Sequence, residues 1–309
     1  MENNYPNLQL VIKNDRLSAE KKNKLSLLGR ILSLVLTYAF LAFMALLMIF
    51  PFYWMIITSL KEGMEINQMN PTFWPQIIRW ENYSEAFSRL NFGTLLRNTL
   101  VVGIFSTIGT LFTTIFAAFA FARLEFKGRD FMFSILLATM MIPGEMMVTT
   151  NYVSVSLLGM IGKDNLMGAY AAMILPFMVS VFYIYLLRQN FKQIPNELYL
   201  AAKVDGKTDW QFLWKVMVPL AMPTLITIFI LKLMGAWNSY VWPNLIATGN
   251  QDFWLITNGL RGTFSAAENI NDYGVQMAAT VIVTVPLLLL FIFFRKYIMR
   301  GVSRAGIKG

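Results

Sequence analysis

The chain has 309 residues, 56% of them hydrophobic and only 14% charged. Soluble domains carry about 25% charged residues, so this composition argues against an ordinary soluble globule and for a membrane protein. The absence of cysteine and histidine removes disulfides, Cys/His zinc sites, Cys nucleophiles, Ser-His triads and His proton relays, and the net charge of +9 has meaning only once the basic residues are placed relative to the apolar stretches.

A transmembrane helix needs about 20 mostly apolar residues, and six stretches of the sequence qualify. Residues 1–30 lack an apolar core followed by a small-residue cleavage site, so they read as an N-terminal tail and the first span as its own insertion signal. The spans cover about residues 31–57, 99–122, 131–152, 169–187, 218–246 and 277–294. The third is interrupted by "IPGE" at 142–145. Pro51, Pro143, Pro176, Pro223 and Pro286 fall in or near spans, where neighbouring helices satisfy the carbonyls that proline frees. A transmembrane region of 31–300 and a C-terminal tail of 301–309 follow.

Lys and Arg counts set the orientation. The two tails and the loops after spans two and four hold nineteen basic residues. The alternate loops hold six, among them Lys61, Lys163 and Arg261. Both termini and the 188–218 loop are therefore expected in the cytoplasm. The charge is a topology signal, and its interruption by spans argues against a nucleic-acid stripe. Loop 61–97 is extracytoplasmic on this reading and carries Trp74 and Trp80, either interfacial anchors or partner contacts. Loop 247–276 is polar, rich in Gly and Asn, and long enough to reach a ligand or partner. No phosphate-cradling G-x-x-x-x-G-K-[ST] loop is present, so any ATP would bind elsewhere.

The 188–218 loop contains "IPNELYLAAKVDGKTDWQFLW". Pro195 suits a helix start. Leu198, Ala201, Ala202 and Asp205 recur at i, i+3, i+4 and i+7 and share a face that two alanines keep shallow. Asp205-Gly206 stops the helix, with Gly206 in the left-handed cap. "TDWQ" at 208–211 opens a second helix with a capping box. The expected product is a compact helix–turn–helix knob, serving either as a cover for the bundle end or as a coupling element for a partner.

This segment resembles the EAA loop of ABC-importer permeases. "TSLK" (58–61), "ENYSEAF" (81–87), "FARLEFKGRD" (121–130), "MMIPGEMM" (140–147), "WNSYVWP" (237–243) and "GVSRAGIKG" (301–309) are similar to the carbohydrate-uptake, MalG-like branch. The resemblance implies an all-α integral membrane protein of the type I importer permease fold, with six transmembrane helices and cytoplasmic N and C termini, in a bacterial plasma membrane. It further implies a second similar permease, two ATPase subunits that carry ATP and Mg, and an extracytoplasmic solute-binding protein. The chain itself would bind no cofactor and do no covalent chemistry. ATPase coupling would fall to Glu197, Leu200, Ala201, Ala202, Asp205 and Gly206. The sequence departs from the pattern at Leu200, where the family has Glu. Either Glu197, three residues earlier, supplies the charge, or the contact is apolar.

Two ionisable residues fall deep in spans. Lys232 lies 13 residues beyond Pro219 and Glu145 is about 15 residues into span three. A central lysine costs about 2.5–3.5 kcal/mol on insertion scales, so it must face the bundle or water. The two residues either neutralise each other or leave a cavity charge for an acidic or hydroxyl-rich ligand. Trp237, Asn238 and Tyr240 follow and offer stacking faces and an amide suited to sugars, though packing is the commoner role of such aromatics. With Glu145 and Lys232 they complete the expected translocation path. The reading is a permease subunit of an ATP-driven, binding-protein-dependent importer for a sugar, an oligosaccharide in the first instance. Glycerol phosphate or another anionic solute is the alternative. An ion-coupled secondary transporter would need no knob, and no matched pair of broken half-sites is visible.

Overall fold

The computed structural model describes residues 6–162, 165–264 and 272–303. Lys163, part of loop 247–276 and the tail at 304–309 lie outside the described residues. Every regular element described is helical. Helix α1 spans Pro6–Ser59 and contains the first expected span. Residues 1–57 form a unit of their own. From Ile31 to Phe52 the large apolar side chains of that unit stand exposed, which is tolerable only in an apolar surrounding.

The second unit begins at Thr58. A single turn at Gly63–Ile66 leads to α2, Glu81–Arg89, and α3, Phe92–Arg123. The loop between is built around buried polar groups. The Glu65 carboxylate accepts from Thr72 Oγ1 and from the Gln76 amide, Lys61 donates to the Thr72 carbonyl, and Asn82 Nδ2 donates to the carbonyls of Ser59 and Lys61 at 2.9 Å each. Trp74 and Trp80 remain exposed.

Helix α3 is the post of the bundle. Its buried face is a run of small and hydroxylated residues that includes Gly103, Ser106, Thr107, Gly109, Thr110, Thr114 and Ala118. Small residues let helix backbones approach closely where lipid offers no hydrophobic drive for association. A Cβ at Gly103 would stand 2.9 Å from Leu233 Cδ1, so an alanine there would require the Leu233 side chain to shift.

The third span is broken as expected. Helices α4, Arg129–Ala138, and α5, Val148–Leu157, are bent by 89° across two 3-10 turns. Ile142 and Pro143 are extended at the break, as a residue before proline prefers. The fourth span, expected to be continuous over 169–187, is also broken. Helix α6, Leu166–Ile174, gives way to a 3-10 turn at Leu175–Phe177 that contains Pro176, and α7, Val181–Gln193, restarts at an angle of 49°. Ser180 caps α7 by accepting from the Tyr183 amide.

The fifth span departs furthest from expectation. The knob helices are α8, Asn196–Val204, and α9, Asp209–Phe212. The chain continues from α9 through a wider π turn at Leu213–Met217 and stops at Leu220. It then turns by 75° into α10, Met222–Trp237, and α11, Val241–Ala247, follows after another break. Pro219 and Pro223 flank the 75° turn, and each lacks an N–H for the helix ladder. Helices α12, Ile256–Phe264, and α13, Asp272–Ser303, complete the chain. Among the described residues, Gly29–Ser59, Phe92–Arg123 and Tyr273–Tyr297 are each long and apolar enough to cross a membrane. Three bent pairs, Arg129–Met141 with Gly144–Leu157, Leu166–Phe177 with Val181–Gln193, and Asp209–Leu220 with Met222–Trp237, meet the measure jointly.

Candidate functional site

The knob is a small folded object. Helix α8 ends in a double-bonded turn. The Gly206 amide donates to the Lys203 carbonyl at 3.0 Å, the Lys207 amide donates to the Ala202 carbonyl at 2.9 Å, and Gly206 takes φ +71°. This is the Schellman pattern, and its left-handed residue favours glycine. The capping box is formed with both bonds at 3.2 Å, Thr208 Oγ1 accepting from the Gln211 amide and Gln211 Oε1 from the Thr208 amide. Asp209 joins the two helices, accepting from Tyr199 Oη at 2.7 Å and from Lys203 Nζ at 2.7 Å. That carboxylate holds the Lys203 ammonium above the usual lysine range. Burial, and then the hydrogen bond to Asp209, raise the Tyr199 phenol.

The knob is seated on the bundle. Ala202, Phe212, Leu213 and Met217 share one apolar cluster with Ile115, Phe119, Leu187 and Phe191. Arg123, the last residue of α3, donates to the carbonyls of Phe191 (2.8 Å) and Ile194 just ahead of α8. Trp210 stacks on Phe116 with centroids 5.7 Å apart.

This seating turns the outward face of α8 relative to the sequence expectation. Ala202 is buried and belongs to the interior; its methyl fills the cluster and is not presented outward. The exposed stripe is Glu197, Leu200, Ala201, Val204 and Asp205, spaced i, i+3, i+4, i+7 and i+8. Leu200 is 56% and Val204 89% exposed. Glu197 therefore shares a stripe with Leu200. Val204, not named from the sequence, stands on the same stripe seven residues after Glu197. Gly206 lies in the turn beyond the stripe.

The second feature is a cavity of about 350 Å³ between α3, the α6–α7 break and α10, lined by Ser106, Phe177, Ser180, Lys232, Ser239 and Trp242 among others. The broken fourth span leaves carbonyls without helical partners. Phe177 O accepts from Thr110 Oγ1 at 3.1 Å and from Lys232 Nζ at 2.9 Å, and Met178 O accepts from Thr113 Oγ1 at 2.7 Å. Trp242 is fixed by Nε1 donating to the Ala172 carbonyl at 3.1 Å and by an edge contact to Phe177.

Of the residues expected on a solute path, only Lys232 lines this cavity. No ion pair joins it to Glu145 among the described residues; Glu145 is exposed at the "IPGE" break while Lys232 turns to the Phe177 carbonyl. Trp237 is buried in a different apolar cluster with Leu95, Ile256 and Val275. Asn238 is exposed at the C-terminal end of α10. Tyr240 carries the Arg261 guanidinium 4.6 Å above its ring. Ser106, Ser180 and Trp242 were not singled out from the sequence, because the break that gathers them joins segments far apart in the chain.

Residues 109–304 match the family described as binding-protein-dependent transport system inner membrane component. The chain belongs to this family. The match takes in α3 from Gly109, the knob and Lys232 with the α6–α7 break beside it. Among relatives of this permease, the arabinooligosaccharides transport system permease protein AraQ of Bacillus subtilis strain 168 is 30% identical over 277 residues, 87% of this chain and 94% of the relative. The diacetylchitobiose uptake system permease protein NgcG of Streptomyces coelicolor is 30% identical over 270 residues, 87% of either chain. A chain from the crystal structure of a bacterial ABC transporter involved in the import of the acidic polysaccharide alginate superposes with a TM-score of 0.74 at 26% identity, covering 87% of this permease and 96% of that chain.

Proposed function

We propose that the chain is the six-span permease subunit of an ATP-driven importer for an oligosaccharide, with both termini and the knob in the cytoplasm. It works with a second permease, two ATPase subunits and an extracytoplasmic binding protein. The observation that carries this reading is the knob. An outward stripe with Leu200, Ala201 and Val204 at its centre stands on a capped and cross-linked base, which is what a part that passes force between subunits requires. The positive-inside distribution supports the orientation, and saccharide-named relatives support the solute class. Glu145, Asn238, Trp237 and Tyr240 lie outside the lining of the Lys232 cavity and act, on this reading, in packing or at subunit faces.

The test is co-purification of the chain with an ATPase whose hydrolysis a saccharide-loaded binding protein stimulates. Absence of both association and stimulation would overturn the reading. Orientation is tested separately in the naturally cysteine-free chain. Lys207→Cys should be shielded from an impermeant external thiol reagent, and Gln251→Cys should label; the reverse pattern sinks the topology.

A second solute class is favoured by one observation, the charge in the cavity. An anionic, hydroxylated solute would use the charge of Lys232, where a neutral saccharide would use only its N–H donors.

A further inference from the structure

We propose that the Lys232 cavity is a binding site for the anionic end of a polyhydroxylated solute, a carboxylate or phosphate carried on a sugar or polyol body. The inference rests on the importer reading and deepens it by naming the chemistry of the site.

Among the described residues, Lys232 is the one cation or carboxylate in the cavity lining. Its ammonium has three N–H donors, and one is used on Phe177 O. A purely structural cap does not need the charge. Thr110 Oγ1 already donates to the same carbonyl, and Thr113 satisfies the next one along with a neutral hydroxyl. A half-buried ammonium in an apolar span requires acceptors or water, and this one borders a space lined by Ser106, Ser180 and Ser239. The rest of the lining suits the body of such a solute. Ser106, Ser180 and Ser239 bring hydroxyls, and the Trp242 and Phe177 rings border the same space. The positive end of α7, capped by Ser180, faces it as well. At about 350 Å³ the cavity is at the small end of the ~300–1,000 Å³ range of small-molecule sites. It takes a terminal residue rather than the length of a polymer.

The experiment places one cysteine in the cavity of the complete importer, Ser239→Cys, and compares its reaction with an anionic sulfonatoethyl and a cationic trimethylammonioethyl methanethiosulfonate. The same ratio at Gln251→Cys, on the exposed outer loop, is the reference. The ratio at Ser239→Cys should exceed the reference roughly tenfold. It should fall to the reference when Lys232→Met is added and persist with Lys232→Arg. Galacturonate or glycerol phosphate should slow labelling, and galactose and glycerol should not. Protection by galacturonate alone identifies a carboxylate ligand, and by glycerol phosphate alone a phosphate. A ratio equal to the reference, a ratio unmoved by Lys232→Met, or equal protection by galactose would overturn the proposal. An acidic group from a partner subunit that neutralises Lys232 would give the first of these results. If Lys232→Met prevents assembly, the ratio and protection in the Lys232→Arg chain decide. Failure here leaves stimulated ATP hydrolysis intact, so it is distinguishable from failure of the importer reading.

Discussion

The knob and the Lys232 cavity are built in opposite ways. The knob's distinctive bonds join residues within about a dozen positions of one another: Tyr199 and Lys203 to Asp209, Thr208 to Gln211, Lys207 to Ala202. The cavity draws Ser106, Phe177 and Lys232 from α3, the α6–α7 break and α10, dozens of residues apart, and it lies where the fourth span breaks. A locally closed element can be moved as a body without reshaping what lies beyond it. A space assembled at a helix break changes whenever the surrounding helices shift. On the proposed function the knob is the stiff receiver of force and the cavity a site whose form depends on the arrangement of the bundle.

The largest effect should come from the stiff part. Gly206→Pro replaces a residue at φ +71° with one fixed near −65° and removes the amide that closes the turn on Lys203. The chain should still reach the membrane, because α3, α10 and the spans are untouched. ATPase association and solute uptake should fall to background. The charge preference at Ser239→Cys should survive, since the cavity shares no bond with the turn. Uptake within twofold of the parent would sink the coupling role, and loss of the charge preference would break the contrast between the two regions.

Neighbouring alanines give the next test. Ala201 is exposed and Ala202 is buried in the cluster with Phe119 and Phe191. Ala201→Trp should leave the amount of membrane-inserted chain unchanged and abolish association with the ATPase. Ala202→Trp should lower the amount of folded chain itself, since overpacking a filled core costs about 1–3 kcal/mol or more. Quantifying chain and bound ATPase by immunoblot after membrane extraction separates the two. Equal behaviour of the pair would mean that α8 is not seated as described.

The same pair shows what the sequence could and could not disclose. Composition and span length carried the all-helical membrane class, and Gly206, Thr208 and Gln211 marked the knob's turn and cap because their bonds are local. The outward face was misassigned by a small rotation, since periodicity fixes which residues share a stripe but not which stripe meets the bundle. Ala202, read as part of the outward face, is buried with Phe191 and Phe212, while Val204 stands exposed. The breaks at Pro176 and near Pro219 were under-read. Proline is tolerated within a continuous transmembrane helix as well as at a break, and the donors that meet the freed carbonyls at Pro176, from Thr110, Thr113 and Lys232, lie more than fifty residues away in the chain. Lys232 was visible as a costly residue, and depth alone offered two outcomes, a pair with Glu145 or a cavity charge. The structure gives it the carbonyl of that unforeseen break.

A smaller effect is expected on the stripe itself. If the ATPase contact is apolar, Leu200→Glu should reduce uptake by a few-fold and Glu197→Ala should be nearly silent. If Glu197 supplies the charge, Glu197→Ala should impair coupling and Leu200→Glu should restore part of it, because the two side chains share one exposed stripe and could meet a common partner. The 56% exposure of Leu200 and the adjacent Val204 at 89% favour the apolar form. ATP hydrolysis measured for both single variants and the double variant gives the coupling energy. A rescue by Leu200→Glu in the Glu197→Ala background would overturn that preference.

The smallest effect should come from the cap. Thr208→Ala removes the side-chain acceptor of the Gln211 amide at 3.2 Å, a loss that typically costs ~0.5–2 kcal/mol. The Tyr199–Asp209 and Lys203–Asp209 bonds and the Phe212 packing remain, so the knob should stay folded and uptake should change little. The loss should be local: amide exchange over residues 208–212 should speed up by about fivefold for ~1 kcal/mol, while exchange in α10 and the labelling ratio at Ser239→Cys stay at parental values. Faster exchange spreading across the 75° turn into α10 would show that knob and span open together, and the independence of the two regions would then fail. No change within 208–212 would mean that the knob opens only when the whole bundle does, so that its stiffness belongs to the core beneath it rather than to its own cap.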